Sequence, residues 1–346
     1  MLDKANLIQL AKVAINADSS SKVAYSIGEE SLTYSQVNKA LAKELRELAG
    51  TYSDLRENRN LIFSIIEQAI DDVLPNRVIE QYGQFAEIRT FRQGDRPVFY
   101  QKISHQSRTR ARQFITKVGL AGRYEVFKLD GRSYEVATSA FGGAVQVAIE
   151  EVLDGRVTMA DVLDIALEAL DRSIYIEIER ALKAGVAGLQ AANKATNNTF
   201  VEDDFDRLIG ITDAYGGNAT IYCTFEFART MLPPEGWVSE DMKNERWKNG
   251  YLGNYKGHRV IVLNQSFEDE TNLVKVLDPA YCYIIPGGAE KPIKIALEGQ
   301  TLMDARHNDD WSDDIHFYRK LGVAADMQNN MTVYINTSLK REIVLP

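Results

Sequence analysis

The sequence predicts an α+β fold organised around one long helix, and three observations carry that prediction. Apolar residues recur at helical spacing from Thr158 to about Ala192, interrupted only by Gly185 and Gly188 near the end. Just before it, Phe85 to Thr138 turns to β-forming residues punctuated by turn signals. After Asn198 short helical and strand-like segments follow one another in mixed order. At 346 residues the chain is long for a single core, so about two domains are expected.

Taken in order, Asp3 to Asn16 reads as a helix with Leu7, Leu10, Ala11, Ala14 and Ile15 on one side. It lacks the charged-then-apolar order of a signal peptide. Thr33-Tyr-Ser-Gln36 is a capping-box pattern, and Val37, Leu41, Leu45 and Leu48 form the stripe of a second helix that Gly50 ends. A third helix starts near Ser53 or Asp54 and carries Leu61, Ile62, Ile65, Ile66, Ala69 and Val73, with Pro75 expected to stop it. Polar breaks between these helices predict an extended arm rather than a packed bundle.

Phe85 to Arg92 and Pro97 to Ile103 read as strands about Gln93-Gly94-Asp95. Tyr124 to Leu129 and Arg132 to Ala137 flank Asp130-Gly131, the strongest hairpin signature in the chain. This ribbon has no second layer of its own in the sequence. A two-stranded ribbon alone in water is marginal, so a sister subunit is expected to support it. Ala144 to Leu153 reads as a short helix. Thr158, with Asp161 at the third helical position, caps the long helix. Leu163, Leu167, Leu170, Ile174, Ile178, Ala181, Gly185 and Leu189 mark its apolar face. About 33 residues at roughly 1.5 Å each make it some 50 Å long, enough for a backbone of the subunit.

Asn193 to Asn198 reads as a polar linker, Glu202 to Tyr215 as a helix, Ala219 to Thr224 as a strand and Phe225 to Leu232 as a short helix. Tyr255 to Leu263, broken by Gly257, then Tyr281 to Ile285, Ile293 to Leu297, Ile315 to Arg319 and Thr332 to Ile335 are strand candidates.

Composition excludes several function classes. Apolar residues at 45% and charged residues at 26% exclude wholesale disorder. No run of about 18 apolar residues exists, so no membrane span is expected. Phe85 to Val136 holds eleven Lys or Arg against five Asp or Glu, a balance of +6, so the rest carries −9 − 6 = −15. An acidic body with a basic arm suits attraction between copies of one molecule. It does not suit tight nucleic-acid binding, which wants a basic surface.

Candidate chemistry is thin. Cys223 and Cys282 lie in separate apolar strands, and free buried thiols are expected over a disulfide. His307, Asp309, Asp310, Asp313, Asp314 and His316 lack the glycine turn and distal glutamate of a calcium loop. A solvated acidic loop or an intersubunit salt-bridge patch is expected there, with no metal. Gly287-Gly288 with Lys291, and Gly216-Gly217, read as turns, not phosphate cradles. Glu235, Glu240 and Glu245 with His258 have no spacing that demands an acid–base set, and no serine or cysteine sits in a nucleophile motif. No enzyme activity and no cofactor are expected. Arg108, Arg110 and Arg112 alternate, so on a strand all three share one side. Docking on an acidic neighbour is the favoured reading over a solvated tip or nucleic-acid contact, because arginine forks match carboxylates.

The order of parts, with Asn249-Gly-Tyr-Leu-Gly-Asn-Tyr-Lys-Gly-His-Arg-Val-Ile-Val262, Lys294-Ile-Ala-Leu-Glu-Gly299 and Asp310-Trp-Ser through Arg319-Lys-Leu-Gly-Val323, resembles the major capsid proteins of tailed bacteriophages. That resemblance implies the Hong Kong 97-type shell fold. It implies an N-terminal helical arm (1–84), an extended loop (85–138), a peripheral domain with a spine helix (139–195), an axial domain (196–315) and a return to the peripheral domain (316–346). Arg108, Arg110, Arg112, Asp130 and Gly131 of the loop would then contact a neighbouring subunit. The implied function is self-assembly into an icosahedral head around double-stranded DNA, in hexamers and pentamers, with a portal, a separate scaffolding protein and non-specific DNA contact. Location in the virion after assembly in the bacterial cytoplasm follows. The chain is expected to keep its N-terminus. An encapsulin-like nanocompartment shell, or a soluble α/β enzyme built on 196–315, are the competing readings.

Overall fold

The computed structural model describes residues 4–16, 25–27, 30–32, 34–50, 52–83, 85–101, 132–148, 159–214, 218–232, 239–267, 271–287, 291–308, 312–326, 331–339 and 343–344. In chain order the elements begin with α1 (Lys4–Asn16), β1 (Tyr25–Ile27), β2 (Glu30–Leu32), α2 (Tyr34–Ala49), α3 (Tyr52–Tyr82), β3 (Ala86–Phe91) and β4 (Val98–Gln101). There follow β5 (Arg132–Glu135), β6 (Ser139–Ala148), α4 (Met159–Gly188), β7 (Lys194–Asn197), α5 (Glu202–Asp213), β8 (Ala219–Thr224) and α6 (Phe225–Ala228). The remainder is α7 (Glu240–Asn249), β9 (Asn254–Tyr255), β10 (His258–Leu263), β11 (Val274–Lys275), β12 (Tyr281–Pro286), β13 (Ile293–His307), β14 (Ser312–Ala325), β15 (Thr332–Asn336) and β16 (Ile343–Val344). The α+β class is as expected. The chain divides into one unit of Met1–Val98, Glu135–Tyr175 and Lys294–Val323, and a second of Phe99–Tyr134, Ile176–Ile293 and Ala324–Pro346.

In the first unit α1, α2 and α3 pack pairwise on one another, so the N-terminal helices are a packed layer and not an extended arm. The reason lies in α3. Ile62, Phe63, Ile65, Ile66, Ala69, Ile70, Val73 and Leu74 are all buried, and a helix apolar over so much of its circumference needs cover on several sides. The stripe of α2 (Val37, Leu41, Leu45 and Leu48) is buried as its spacing predicts. Pro75 does not stop α3, which runs through it to Tyr82. Interior proline costs about 3 kcal/mol. Burial of Leu74, Val78 and Tyr82 around it, at roughly 1.5–3 kcal/mol for each large apolar side chain, outweighs that.

The same unit holds a four-stranded sheet of order β3-β13-β14-β6. Its first strand comes from the predicted ribbon, which corrects two expectations. β3 is not paired with β4, and it does not lack a second layer, because α3 packs against it. The turn at Gln93-Gly94-Asp95 exists, with the Asp95 N–H donating to the Arg92 carbonyl at 3.0 Å. β4 pairs instead with β5 as a two-stranded ladder.

The expected helix from Ala144 is also overturned. Ser139–Ala148 is a strand, antiparallel to β14 from Ser312↔Ala148 to Leu321↔Ser139. Gly142 shows why. A Cβ there would stand 2.6 Å from the Phe317 carbonyl oxygen and 2.8 Å from the Tyr318 Cβ, so β14 approaches the backbone at a distance only glycine permits.

In the second unit a six-stranded sheet runs β7-β15-β12-β8-β10-β9. α5 packs over β7, β8, β12 and β15, burying Phe205, Leu208 and Ile209 against Ile221, Phe227, Ile284 and Tyr334. The Tyr334 hydroxyl accepts from the Val201 N–H at 2.8 Å and donates to the Thr199 carbonyl at 2.9 Å, so this buried tyrosine is satisfied. The expected linker contains β7, which pairs in parallel with β15. Its polar residues mislead because β7 is an edge strand, where polar side chains are tolerated. β9 and β10 form a hairpin across Lys256 and Gly257, at φ 47° and 91°, the two positive dihedrals a type I′ turn needs.

The helix α4 contributes residues to both units. Leu167, Leu170, Ile174, Ile178, Leu182 and Val186 are its buried line. Beyond Ile178 that line falls one residue later than the expected Ala181 and Gly185. The long side chains, rather than the small ones, turn inward.

Candidate functional site

Arg108, Arg110, Arg112, Asp130 and Gly131 lie outside the described residues, as does the Tyr124–Leu129 half of the predicted hairpin. What the structure does describe is the base from which that segment departs. Phe99 of β4 stacks on Tyr134 of β5, with ring centroids 6.2 Å apart. The Val136 N–H donates to the Pro97 carbonyl at 2.9 Å. Glu298 of β13 then holds both legs. One of its oxygens accepts the Gly94 N–H at 3.1 Å, and the other accepts the Thr138 hydroxyl. Lys320 of β14 lies 3.5 Å away. The Thr138 and Gly94 bonds keep this carboxyl below its usual range, outweighing the partial loss of solvent. Glu298 is therefore an anionic tie between the turn at Gly94 and Thr138, just after β5.

A second feature was not legible in the apolar periodicity. α7 has no buried residue at all. It is nonetheless closed at both ends. The Ser239 hydroxyl accepts the Met242 N–H at 3.2 Å. Gly250, at φ 81°, donates its N–H to the Arg246 carbonyl at 2.7 Å. Only these caps, serine before and glycine after, signal it in the sequence. Trp247 on this helix is 90% exposed, flanked by Arg246 and Lys248, while Glu240 and Asp241 sit in the first turn. That polarity matches the helix macrodipole. It also makes the helix self-complementary, acidic at one end and basic at the other.

A third feature is the outer strand of the four-stranded sheet. β6 lies at its edge, and its sequence Ser-Ala-Phe-Gly-Gly-Ala-Val-Gln-Val-Ala carries no charge. Long uncharged edges are templates for pairing with another chain.

The candidate chemical sets do not converge among the described residues. Glu240 pairs with Lys243 at 2.6 Å, and Glu245 accepts the Gly253 N–H at 2.9 Å. His258 stands 3.4 Å from Asp213, and Glu235 lies outside the described residues. Of the acidic segment, Asp309 and Asp310 lie outside them too, while Asp314 and His316 lie on β14 opposite Gln146 and Ala144. Among the described residues no group of three metal-capable side chains occurs. The Gly287 N–H donates to the Asn218 carbonyl at 2.9 Å, which extends the β8–β12 ladder by one pair, and Gly288 lies outside the described residues. Among the described residues no helix is long and apolar enough to cross a membrane.

One buried acidic group in the second unit has an altered charge state. Glu179 of α4 is 4% exposed and accepts the Asp278 N–H at 3.2 Å. Lys183 is 3.7 Å from Glu179 and 3.9 Å from Asp278. Burial pushes the Glu179 carboxyl up to about 7, against the opposing pull of Lys183 and the Asp278 N–H.

A family model described as "SPbeta prophage-derived putative capsid protein YonB" matches residues 7–336. Among solved structures, the head of Helicobacter pylori bacteriophage KHP40 is similar at 12% identity and a TM-score of 0.49, covering 75% of this chain and 91% of that one. Microbacterium phage Oxtober96 is similar at 10% identity and a TM-score of 0.47, covering 74% and 90%. The holo-SrpI encapsulin complex of Synechococcus elongatus PCC 7942 is similar at 11% identity and 0.41, covering 63% and 79%. No curated protein sequence matches the chain.

Proposed function

The chain belongs to the YonB family of prophage-derived capsid proteins, and we propose on that premise that its copies close into the icosahedral head of a tailed phage around double-stranded DNA. The protein is a structural shell subunit with the Hong Kong 97-type architecture. In this reading 85–138 is the extended loop, and the expected bounds of the peripheral domain (139–195 with 316–346) and the axial domain (196–315) shift with the sheets, β13 falling with β14 and β6 and β15 with β12 and β8. Hexamers and pentamers of the chain assemble in the host cytoplasm, with a portal and a separate scaffolding protein. Packaged DNA meets the acidic body through non-specific contact only.

One observation carries the self-assembly. α7 is a well-capped helix with no fully buried residue, and it presents Trp247 at 90% exposure. Tryptophan is the residue most enriched at interface hot spots, and arginine ranks with it. In a ring of identical subunits the acidic first turn of one α7 faces the basic last turn of the next, a heterologous contact that closes by rotation. The mechanism is geometric: many modest interfaces, each weak enough to anneal, close into a container.

The full-length chain, purified and concentrated, should form closed shells in negative-stain micrographs. Trp247→Ala should weaken association by about 30-fold or more, the effect of a hot spot worth roughly 2 kcal/mol, with helix content unchanged by circular dichroism. A wild-type chain that stays monomeric at high concentration would sink the proposal. Shells filled with an enzyme instead of DNA would replace the viral reading with a nanocompartment.

A further inference from the structure

We propose that Cys223 and Cys282 are a disulfide-forming pair, closed by a hydroperoxide into a covalent tie across the middle of the six-stranded sheet. These are the chain's two cysteines. They occupy different strands, yet the antiparallel register of β8 and β12 sets Cys282 directly opposite Cys223. The same lateral row continues to Val262 on β10 and to Tyr334 on β15. Directly opposed residues project to one face of a sheet. Their Cα atoms lie about 4.5 or 5.5 Å apart, depending on the ladder position, and both spacings fall inside the roughly 4.4–6.8 Å that a disulfide spans. Both thiols are free and buried side by side in the sheet. Bond formation therefore calls for rotation of each side chain about its Cα–Cβ bond, at a strand spacing that a disulfide spans.

The chemistry closes with hydrogen peroxide as the oxidant. One thiolate sulfur attacks a peroxide oxygen, the O–O bond breaks, and hydroxide leaves. The resulting sulfenic acid is attacked by the neighbouring sulfur, the S–O bond breaks, and water departs with the second thiol proton. Two thiols and one peroxide thus yield one disulfide and two waters. Both cysteines are free and buried in this structure. Burial raises the Cys282 thiol well above its usual range, helped by the neighbouring Cys223 thiol, and only the thiolate attacks. Closure is accordingly slow at neutral pH and faster in alkaline buffer. The pair stays reduced in a reducing cytoplasm and closes in an oxidising exterior. Once closed, the ring encloses residues 224–281, including α6, α7, β9, β10 and β11.

The test uses the full-length chain, fully reduced and then treated with hydrogen peroxide at room temperature and again a few degrees below its unfolding temperature. After denaturation and alkylation, the expected product is a monomer lighter by two hydrogens, with neither cysteine alkylated and one linked peptide joining Cys223 to Cys282. Its unfolding midpoint should rise by roughly 4–10 °C and return on adding dithiothreitol. Cys223→Ala, and separately Cys282→Ala, should abolish the shift. Two alkylatable thiols after both treatments, stable sulfinic acid in place of the linked peptide, or chain-to-chain linkage would each overturn the assignment.

Discussion

Six charged side chains among the described residues are buried, and they are costly to replace singly. Arg319 of β14 is 2% exposed and donates to the Asp71 carboxylate at 2.7 Å and to the Thr301 hydroxyl at 3.2 Å. Asp71 also accepts the Thr301 N–H at 2.9 Å, and Glu67, one helical turn earlier on α3, accepts the Met303 N–H at 2.6 Å. Two carboxylates four residues apart on the helix thus satisfy alternate amides of β13, which matches i,i+4 spacing to the two-residue repeat of a strand. Asp71→Ala strands a buried guanidinium and should cost about 3–5 kcal/mol in denaturant unfolding, whereas replacing both partners by apolar residues of similar volume should be far closer to neutral. Glu179 makes the pH prediction. Its folded pKa of about 7 lies above its ordinary 4.5, so the folded state binds the proton more tightly. The stability it contributes is complete below about pH 4.5 and is lost as pH rises through 7. Glu179→Gln should therefore flatten the stability change between pH 5 and pH 8 by roughly 2–3 kcal/mol, read as the difference from wild type in chemical unfolding at each pH. Equal pH slopes for the two proteins would contradict this.

At the scale of elements, the misreadings share a cause. Pro75 in α3, Gly142 and Gly143 in β6, and the polar β7 all carry local signals against the structure they adopt. In each, a long-range partner outweighs the local preference: the elements packed on α3, the backbone of β14, and the ladder to β15. α7 shows the converse. It has no apolar face, so a method that looks for burial passes over it, and only Ser239 and Gly250 betray its ends. The edge strand β6 yields a prediction of its own. Lysine at the exposed Ala144 and Gln146 should leave the monomer folded and reduce higher-order association, because edge charges oppose strand addition. Sedimentation velocity reads this directly, and undiminished association would remove β6 from the interface. Glu298→Ala should loosen the loop base. Faster amide exchange at Gly94 and Val136, with exchange in the six-stranded sheet unchanged, is the expected signature.

At the scale of the whole molecule, assembly is the property to be tested. The favoured docking role of Arg108, Arg110 and Arg112 predicts that replacing all three with glutamate impairs particle formation while leaving helix content unchanged. Normal particle yield from that variant would refute it. Much was legible beforehand. The sequence by itself determined the α+β class, the positions of α1, α2, α4, α5, β8, β12 and β15, and the uneven charge, because each rests on short-range spacing and composition. Tertiary structure alone decided that the N-terminal helices form a packed layer, that the first ribbon strand joins β13 rather than its sequence neighbour, and that two cysteines 59 positions apart (282 − 223) face each other. Those outcomes depend on which surfaces meet, and strand partnership is set by burial summed over residues far apart in the chain, which local periodicity does not encode.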